Sequence, residues 1–221
     1  MVRTTNRSEQ AIAILILAAG ASARMGSPKQ LLNYGGRSLL RLAVESATAS
    51  VCRPILVVLG AYAEQLYGEF DDLPVRPVIN ERWAEGMGSS IRTGLEAFDL
   101  CGRKSVTDAV VLMLCDQPFV TAAVINNLVT AFRSNGKGII ASEYGGTLGA
   151  PAIFGRKYFA ALAALRGTAG AKQFIAAHAS DVMRVSFPQG TMDIDTPEDY
   201  RQLLRAMLTH NLAHQGQTEF P

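Results

Sequence analysis

The sequence predicts one α/β domain with a mostly parallel sheet and helices on both faces, a Rossmann-like three-layer arrangement. Three observations predict it. Short apolar runs occur without polar alternation, as in strands buried on both faces. Those runs alternate with stretches of helical spacing, the pattern of strand–helix–strand units. A length of 221 residues with 48% hydrophobic content suits one full-sized core.

Residues 11–17 (A-I-A-I-L-I-L) are apolar throughout and form the first predicted strand. A glycine-bearing loop and an amphipathic helix near 38–50 come next. Residues 54–59 (P-I-L-V-V-L), ending at Gly60, are a second strand, and 75–79 a shorter third. Ile91, Leu95 and Phe98 set helical spacing over 89–99, and 109–114 (A-V-V-L-M-L) is another buried strand. Helices are expected at 121–134, 157–165, 170–178 and 197–208, and strands at 138–142 and 182–187. Pro197 suits the first turn of the last helix, with Thr196 as its cap and Glu198 and Asp199 favourable near its positive end. The domain is expected to span 11–208, with polar, mobile ends at 1–10 and 209–221. No internal repeat, low-complexity tract or linker stands out.

Charged residues make up 18% of the chain and the formal net charge is +2. So near-neutral a balance provides no electrostatic footprint for nucleic acid and no basic membrane patch. A small anionic substrate remains compatible, because a few local cations can serve it. The three cysteines, Cys52, Cys101 and Cys115, are odd in number, widely spaced and free of any C-x-x-C. They predict a reduced, cytoplasmic protein without disulfides or a zinc site. His210 and His214 stand four apart, at metal-ligand spacing on a helix, but no cysteine or carboxylate lies close by, and a solvated tail is the simpler reading. Arg3 and Arg7 before the apolar run 11–19, with Ala21-Ser22-Ala23 after it, imitate a secretory signal. Glu9 interrupts the basic region, however, and the run flows into a loop with its own chemistry. No stretch approaches the ~20 apolar residues of a membrane-spanning helix.

In doubly wound sheets, ligands bind beyond the carboxyl ends of strands at a switch in strand order. That rule directs attention to the segments immediately after residues 17 and 114. The first of them reads L-A-A-G-A-S-A-R-M-G-S-P-K-Q from Leu17 onward. Gly20 and Gly26 permit close backbone approach, Ser22 offers a hydroxyl, and Arg24 and Lys29 are the segment's only cations. Backbone N–H groups and two cations make a polyphosphate cradle, although glycines alone would build no more than a turn. The loop is neither a Walker A sequence nor G-x-G-x-x-G.

After residue 114 comes Cys115-Asp116-Gln117-Pro118, and near the end of the chain Asp193-Ile194-Asp195-Thr196-Pro197-Glu198-Asp199. Asp116 could be a simple turn or cap residue. Carboxylates from two distant segments also suit Mg²⁺, which takes few protein carboxylates and keeps water and phosphate oxygens. Asp193 and Asp195 both stand ahead of the predicted helix. A third segment, Asn80 to Gly94, places Gly86, Gly88, Ser89 and Ser90 before a helix, where they either cap it or meet a ligand. Gly145 to Phe154 is expected to be a flexible turn leading into a short apolar segment, and Arg166 to Lys172 a second anion site at a helix start.

The chain resembles the nucleotidyltransferases that share the fold of the nucleotide-sugar pyrophosphorylases. Their pattern L-A-x-G-x-S-x-R-M-G-x-x-K is matched at Leu17, Ala18, Gly20, Ser22, Arg24, Met25, Gly26 and Lys29. The resemblance runs from about residue 11 to 208, and is sharp in this loop and at D-Q-P. It implies a sheet of the nucleotide-diphospho-sugar transferase type. The loop from Leu17 to Lys29 would then wrap a nucleoside triphosphate, with Arg24 and Lys29 on its phosphates and Gly88, Ser89 and Ser90 at the base or ribose. D-Q-P and D-T-P-E-D resemble the family's metal positions, which makes Asp116 and Asp195 the Mg²⁺ ligands, with Asp193 as the alternative to Asp195. Alanine at position 19, within L-A-A-G, resembles the molybdenum cofactor cytidylyltransferases rather than the GTP-using branch. The resemblance to the cytidylyltransferases implies CTP as donor, molybdopterin phosphate as acceptor, and a molybdenum hydroxylase or its chaperone as a delivery partner. The segments 145–154 and 166–172 resemble regions used around the acceptor. Two alternatives are another phosphorylated acceptor, such as a sugar phosphate, and a non-catalytic binder serving a molybdenum hydroxylase. An α/β oxidoreductase lacks its glycine fingerprint and its acid about 20 residues further on.

Overall fold

The structure, a computed structural model, describes residues 10–99, 107–167 and 169–215, without the side chains of 99 and 209–215. Its strands are β1 (Ile12–Ala18), β2 (Asn33–Tyr34), β3 (Arg37–Ser38), β4 (Ile55–Leu59), β5 (Arg76–Ile79), β6 (Ala109–Leu114), β7 (Ile139–Tyr144), β8 (Thr147–Gly155) and β9 (Val182–Ser186). The helices are α1 (Leu39–Thr48), α2 (Ala63–Leu66), α3 (Met87–Asp99), α4 (Ala122–Ser134), α5 (Phe159–Ala163), α6 (Ala171–Ala177) and α7 (Pro197–Gln215).

Seven strands form one sheet in the order β5-β4-β1-β6-β8-β7-β9, and β2 and β3 pair separately. Every pairing in the large sheet is parallel except the two that β8 makes. The predicted mostly parallel α/β sheet is therefore present. β1 is buried at all seven positions because it lies inside the sheet with helices over both faces. Ile12, Ile14 and Ile16 pack with Leu40 and Val44 of α1 and with Ile125 and Leu128 of α4. Leu15 and Leu17 point the other way, into a cluster with Ile91 and Leu95 of α3 and Phe174 and Ile175 of α6. The apolar run that made β1 legible thus serves two cores at once, side chains alternating between them.

From β1 the chain moves outward through β4 to β5, then returns to pair β6 on the other side of β1. The switch in strand order falls between β1 and β6. Leu17 is in register with Leu114, so the two segments singled out in the sequence leave the sheet side by side.

A third, smaller cluster of Leu39, Ile194 and Leu203 docks α7 beside the start of α1. Thr196 caps α7 as expected: Thr196 N donates to Asp199 Oδ2 at 2.7 Å and Asp199 N donates back to Thr196 Oγ1 at 3.3 Å. α7 continues to Gln215, past the predicted end at 208, so the expected mobile tail from 209 begins as helix; residues 1–9 and 216–221 lie outside the described part.

The main correction is β8. The segment read as a flexible turn leading into a short apolar stretch is a nine-residue strand between β6 and β7, antiparallel to both. Gly145 and Gly146 make the tight turn of its hairpin with β7, both at positive φ. Pro151 would normally argue against an interior strand. It sits where the pairing slips from Ala141↔Ala152 to Ser142↔Gly149, an irregularity that does not need its missing N–H. β8 pairs with β6 only as far as Leu112, and the two strands then part.

Candidate active site

The loop after β1 is held by residues around it. Ser22 turns the chain at φ +52°, unusual for a non-glycine residue. Its hydroxyl accepts from Lys29 N and donates to Gln30 Oε1, both at 3.1 Å. Gln30 is buried at 1% exposure, and its Nε2 donates to Ala18 O at 3.0 Å and Gly20 O at 2.9 Å. Ala61 N donates to Ala19 O, and Tyr62 Oη to Ala21 O at 3.0 Å. The predicted cradle residues Leu17, Ala18, Ala19, Gly20 and Lys29 line a cavity of about 520 Å³ at the switch point, together with Asp116 and Ser90. Ser22 and Gly26 shape the turn instead: Gly26 holds φ +75° and donates its N–H to Ser22 O.

Asp116 comes directly after β6, and Ile194 N donates to Asp116 O at 3.1 Å, which draws the Asp193–Asp195 segment alongside. Lys29 Nζ lies 2.5 Å from Asp116 Oδ2 and 2.7 Å from Asp195 Oδ1. Arg24, largely exposed, pairs with Asp195 Oδ2 at 2.8 Å. Burial works against the Lys29 charge, but Asp116 and Asp195 outweigh it and raise its pKa, so the ammonium persists. Burial likewise opposes the Asp195 charge, while Lys29 and then Arg24 hold its carboxyl below the usual range. The structure thus brings Asp116, Asp195, Lys29 and Arg24 together.

Asp193 is turned elsewhere. Its Oδ1 accepts from Gln117 Nε2 at 2.9 Å, and burial, then the charge of Asp116, pushes its carboxyl up to about 6. Of the two aspartates left open by the sequence, Asp195 is the one that shares a cation with Asp116. Asp116 Oδ1 is buried without a hydrogen-bond partner among the described residues. An orphaned carboxylate oxygen is costly, and a divalent cation on it would meet that need. No group of three or more His, Cys, Asp or Glu forms a ready metal cluster among the described residues. Two carboxylates completed by phosphate and water are the donor set that Mg²⁺ takes, so the residues present fit it. Burial, with Asp116 beside it, pushes the Cys115 thiol up to about 12, so it is no thiolate nucleophile at neutral pH.

Two predicted nucleotide contacts are directed elsewhere. Gly88 N donates to Gly167 O at 3.3 Å, and a Cβ at Gly88 would sit 2.6 Å from Leu165 O. The glycine serves the close approach of α3 to the 165–167 turn. Ser89 is buried, accepts from Asn80 Nδ2 at 2.8 Å and donates to the carbonyls of Arg82 and Gly86. A helix-start serine satisfies the nearest backbone first, which the sequence left open. Ser90 accepts from Asn80 Nδ2 at 3.0 Å and does face the cavity.

A second cavity of about 320 Å³ opens where β6 and β8 part. Leu112, Leu114, Gly149 and Ala150 line it, with Tyr144, Asp193 and Lys172 at its polar edge. Lys172 and Gly149 come from the two segments expected near an acceptor. Arg166 is exposed and is not among the lining residues; Thr168, Cys101 and the side chains of His210 and His214 lie outside the described residues.

Sequence reading missed Gln30, Gly60, Tyr62, Trp83 and Gln117. Gln30 stands directly after Lys29, but nothing local marks a glutamine as buried. Trp83, the chain's only tryptophan, lines the first cavity. A Cβ at Gly60 would lie 2.6 Å from Ala19 O and 2.7 Å from Trp83 Cβ, so only glycine lets these pieces of the wall meet.

Residues 14–182 match the family described as the MobA-like NTP transferase domain. The chain belongs to that family. It is a nucleotidyltransferase, and the loop from Leu17 to Lys29 and Asp116 lie in the matched region, with Asp195 just beyond it. A relative named nicotine blue oxidoreductase, from Paenarthrobacter nicotinovorans, is 30% identical over 86% of this chain and 95% of its own. The purine catabolism protein PucB of Bacillus subtilis is 29% identical over 87% of this chain and 96% of its own. Among solved structures, Rv0371c from Mycobacterium tuberculosis H37Rv superposes at TM-score 0.75 and 28% identity, over 89% of this chain and 98% of that one. A second structure of Rv0371c is a complex with manganese, at TM-score 0.73 and 26% identity over 89% and 99% of the two chains. These solved structures share the fold described here.

Proposed function

We propose that this chain transfers CMP from CTP to the phosphate of a molybdopterin-type acceptor, releasing pyrophosphate in the cytoplasm with Mg²⁺ as cofactor. The observation that carries the reading is the meeting of Lys29 with Asp116 and Asp195 beside the 520 Å³ cavity, which Lys29 and Asp116 line. One cation and two carboxylates at the end of an anion-binding loop are what phosphoryl-type transfer needs and little else requires.

Bound Mg²⁺ would supply charge neutralisation at the α-phosphate and the acceptor oxygen. Asp116 and Asp195 would hold it. The acceptor phosphate oxygen forms a bond to the α-phosphorus while the bond from that phosphorus to the bridging oxygen breaks, and pyrophosphate leaves with the electron pair. The attacking phosphate is already anionic, so no general base is needed, in keeping with the lack of a histidine among the described residues lining the cavity. Lys29 and Arg24 then face the charge that builds toward pyrophosphate. The loop positions the triphosphate.

CTP is favoured by Ala19, whose methyl lies buried against Gly60 and Trp83 in the cavity wall and narrows it against a purine. The second cavity, apolar with Tyr144, Asp193 and Lys172 at its edge, suits a flat, polar-rimmed acceptor. A delivery partner such as a molybdenum hydroxylase or its chaperone accords with such a product.

The test is pyrophosphate release from CTP, GTP or UTP with Mg²⁺ and molybdopterin, with sugar phosphates as alternative acceptors and NADH and NADPH oxidation as a control prompted by the relative named an oxidoreductase. Release with CTP and molybdopterin is expected. Turnover only with a sugar phosphate, or nucleotide binding without turnover, overturns the assignment.

A further inference from the structure

Five consecutive carbonyl groups of the cradle, from Ala18 to Ser22, are each already accepting a hydrogen bond. Gln30 Nε2 takes Ala18 O and Gly20 O, Ala61 N takes Ala19 O, Tyr62 Oη takes Ala21 O, and Met25 N takes Ser22 O. The N–H groups of the same stretch behave in the opposite way. Those of Gly20, Ala21, Ser22 and Ala23 meet no protein acceptor among the described residues. Gly20, Ala21 and Ala23 line the 520 Å³ cavity. A run of backbone whose oxygens are all engaged and whose N–H groups are not is a donor-only surface, and such a surface selects an anion.

The two side chains responsible stand outside the matched loop pattern. Gln30 is fully enclosed and uses both ends: its amide nitrogen holds two carbonyls and its oxygen accepts from Ser22 Oγ at 3.1 Å, at the residue with φ +52°. Tyr62, just before α2, reaches Ala21 O from outside the loop. A carbonyl released from such a restraint can rotate toward the cavity, where it would face a phosphate oxygen with like partial charge.

We propose that Gln30 and Tyr62 are positioning residues that make the loop specific for a triphosphate by holding its carbonyl oxygens away from it. The proposal rests on the reading of the loop as the triphosphate site. Neither side chain needs to touch the nucleotide.

The test compares Tyr62→Phe, which removes one hydroxyl, and Gln30→Met, which keeps the side-chain length but neither donor nor acceptor. Calorimetry measures the binding of inorganic tripolyphosphate, CTP and cytidine, and steady-state assays give KM and kcat for the nucleotide. Tyr62→Phe is expected to weaken tripolyphosphate and CTP binding about 3- to 10-fold and Gln30→Met at least about 10-fold, as loss of hydrogen bonds that position a binding loop does. Cytidine binding should move less than about twofold in either variant, since its recognition does not use the loop's donor surface, and nucleotide KM should rise by more than kcat falls. A merely structural role would weaken all three ligands together or lower kcat alone. Should Gln30→Met fail to fold, Tyr62→Phe still decides the matter. Wild-type protein that binds tripolyphosphate, with both folded variants binding it equally well, overturns the proposal and leaves the loop reading standing. Wild-type protein that binds neither tripolyphosphate nor CTP overturns both.

Discussion

Lys29 Nζ lies 2.5 Å from Asp116 Oδ2 although 87 residues separate them in the chain. The contact exists because β1 and β6 are neighbours with Leu17 opposite Leu114, so that the segments after them emerge together. Asp195 completes the arrangement from the far end of the chain, brought in by the bond from Ile194 N to Asp116 O and by the docking of α7.

Lys29→Ala is expected to lower turnover at least about 100-fold, the usual cost of removing a charge that meets the transition state. The same substitution frees Asp116 and Asp195 from competition with the ammonium, so nucleotide-free protein should bind Mn²⁺ more tightly than wild type. Pyrophosphate release and water-proton relaxation report the two effects. Near-normal turnover in a folded variant would remove Lys29 from the mechanism.

Asp195→Asn and Asp193→Asn should separate cleanly. Asp195 shares Lys29 with Asp116, whereas Asp193 is bonded to Gln117 and borders the second cavity. Asparagine at 195 is expected to raise the Mg²⁺ concentration for half-maximal activity at least about 10-fold, since one of the two carboxylates proposed to hold the ion is lost. Asparagine at 193 should leave that requirement alone and raise KM for the acceptor. A Mg²⁺ titration of each variant checks this, and the reverse pattern would exchange their roles.

Position 19 and Gly60 form one wall. Ala19→Gly removes a methyl from the cavity wall and, on the proposed reading, should raise the ratio of kcat/KM for GTP over CTP. Gly60→Ala introduces a Cβ 2.6 Å from Ala19 O, a backbone atom with little freedom to give way. Overpacking of this kind costs about 1–3 kcal/mol, visible as a lower Tm, with weaker nucleotide binding alongside. An unchanged Tm would mean that the loop yields more easily than its bonds to Ala61 and Tyr62 imply.

Asp181 carries a pH effect far from the chemistry. Hydrogen bonds from Lys157 and then Tyr158 hold its carboxyl down at about 2, against 3.8 for the free group. A depressed carboxylate stabilises the fold fully above 3.8 and loses that contribution as pH falls toward 2. Asp181→Asn should therefore lower Tm at neutral pH and flatten its decline between these two values. Parallel melting curves for the two proteins through that window would show that the group adds nothing.

What the sequence determined by itself was whatever is written locally. Continuous apolar runs marked β1, β4 and β6 because a strand buried on both faces has no polar position to spare. The loop from Leu17 to Lys29 and Asp116 stood out because they follow buried strands and match a family pattern, although their residue types alone also suit turns and caps. Thr196 announced its helix because a cap is chemistry between near neighbours. The tertiary structure alone decided what depends on distant pairing. It placed β8 antiparallel within the sheet, with Pro151 at a slip in register that no local pattern reveals. It put Asp195, not Asp193, beside Lys29, although the two stand two residues apart with the same chemistry and differ only in what the sheet and α7 bring beside them. It turned Ser89 and Gly88 toward their own backbone surroundings, and buried Gln30 beneath the loop it holds. Short-range spacing reports how a segment is covered; which side chains meet across 87 or 166 residues is settled by strand order.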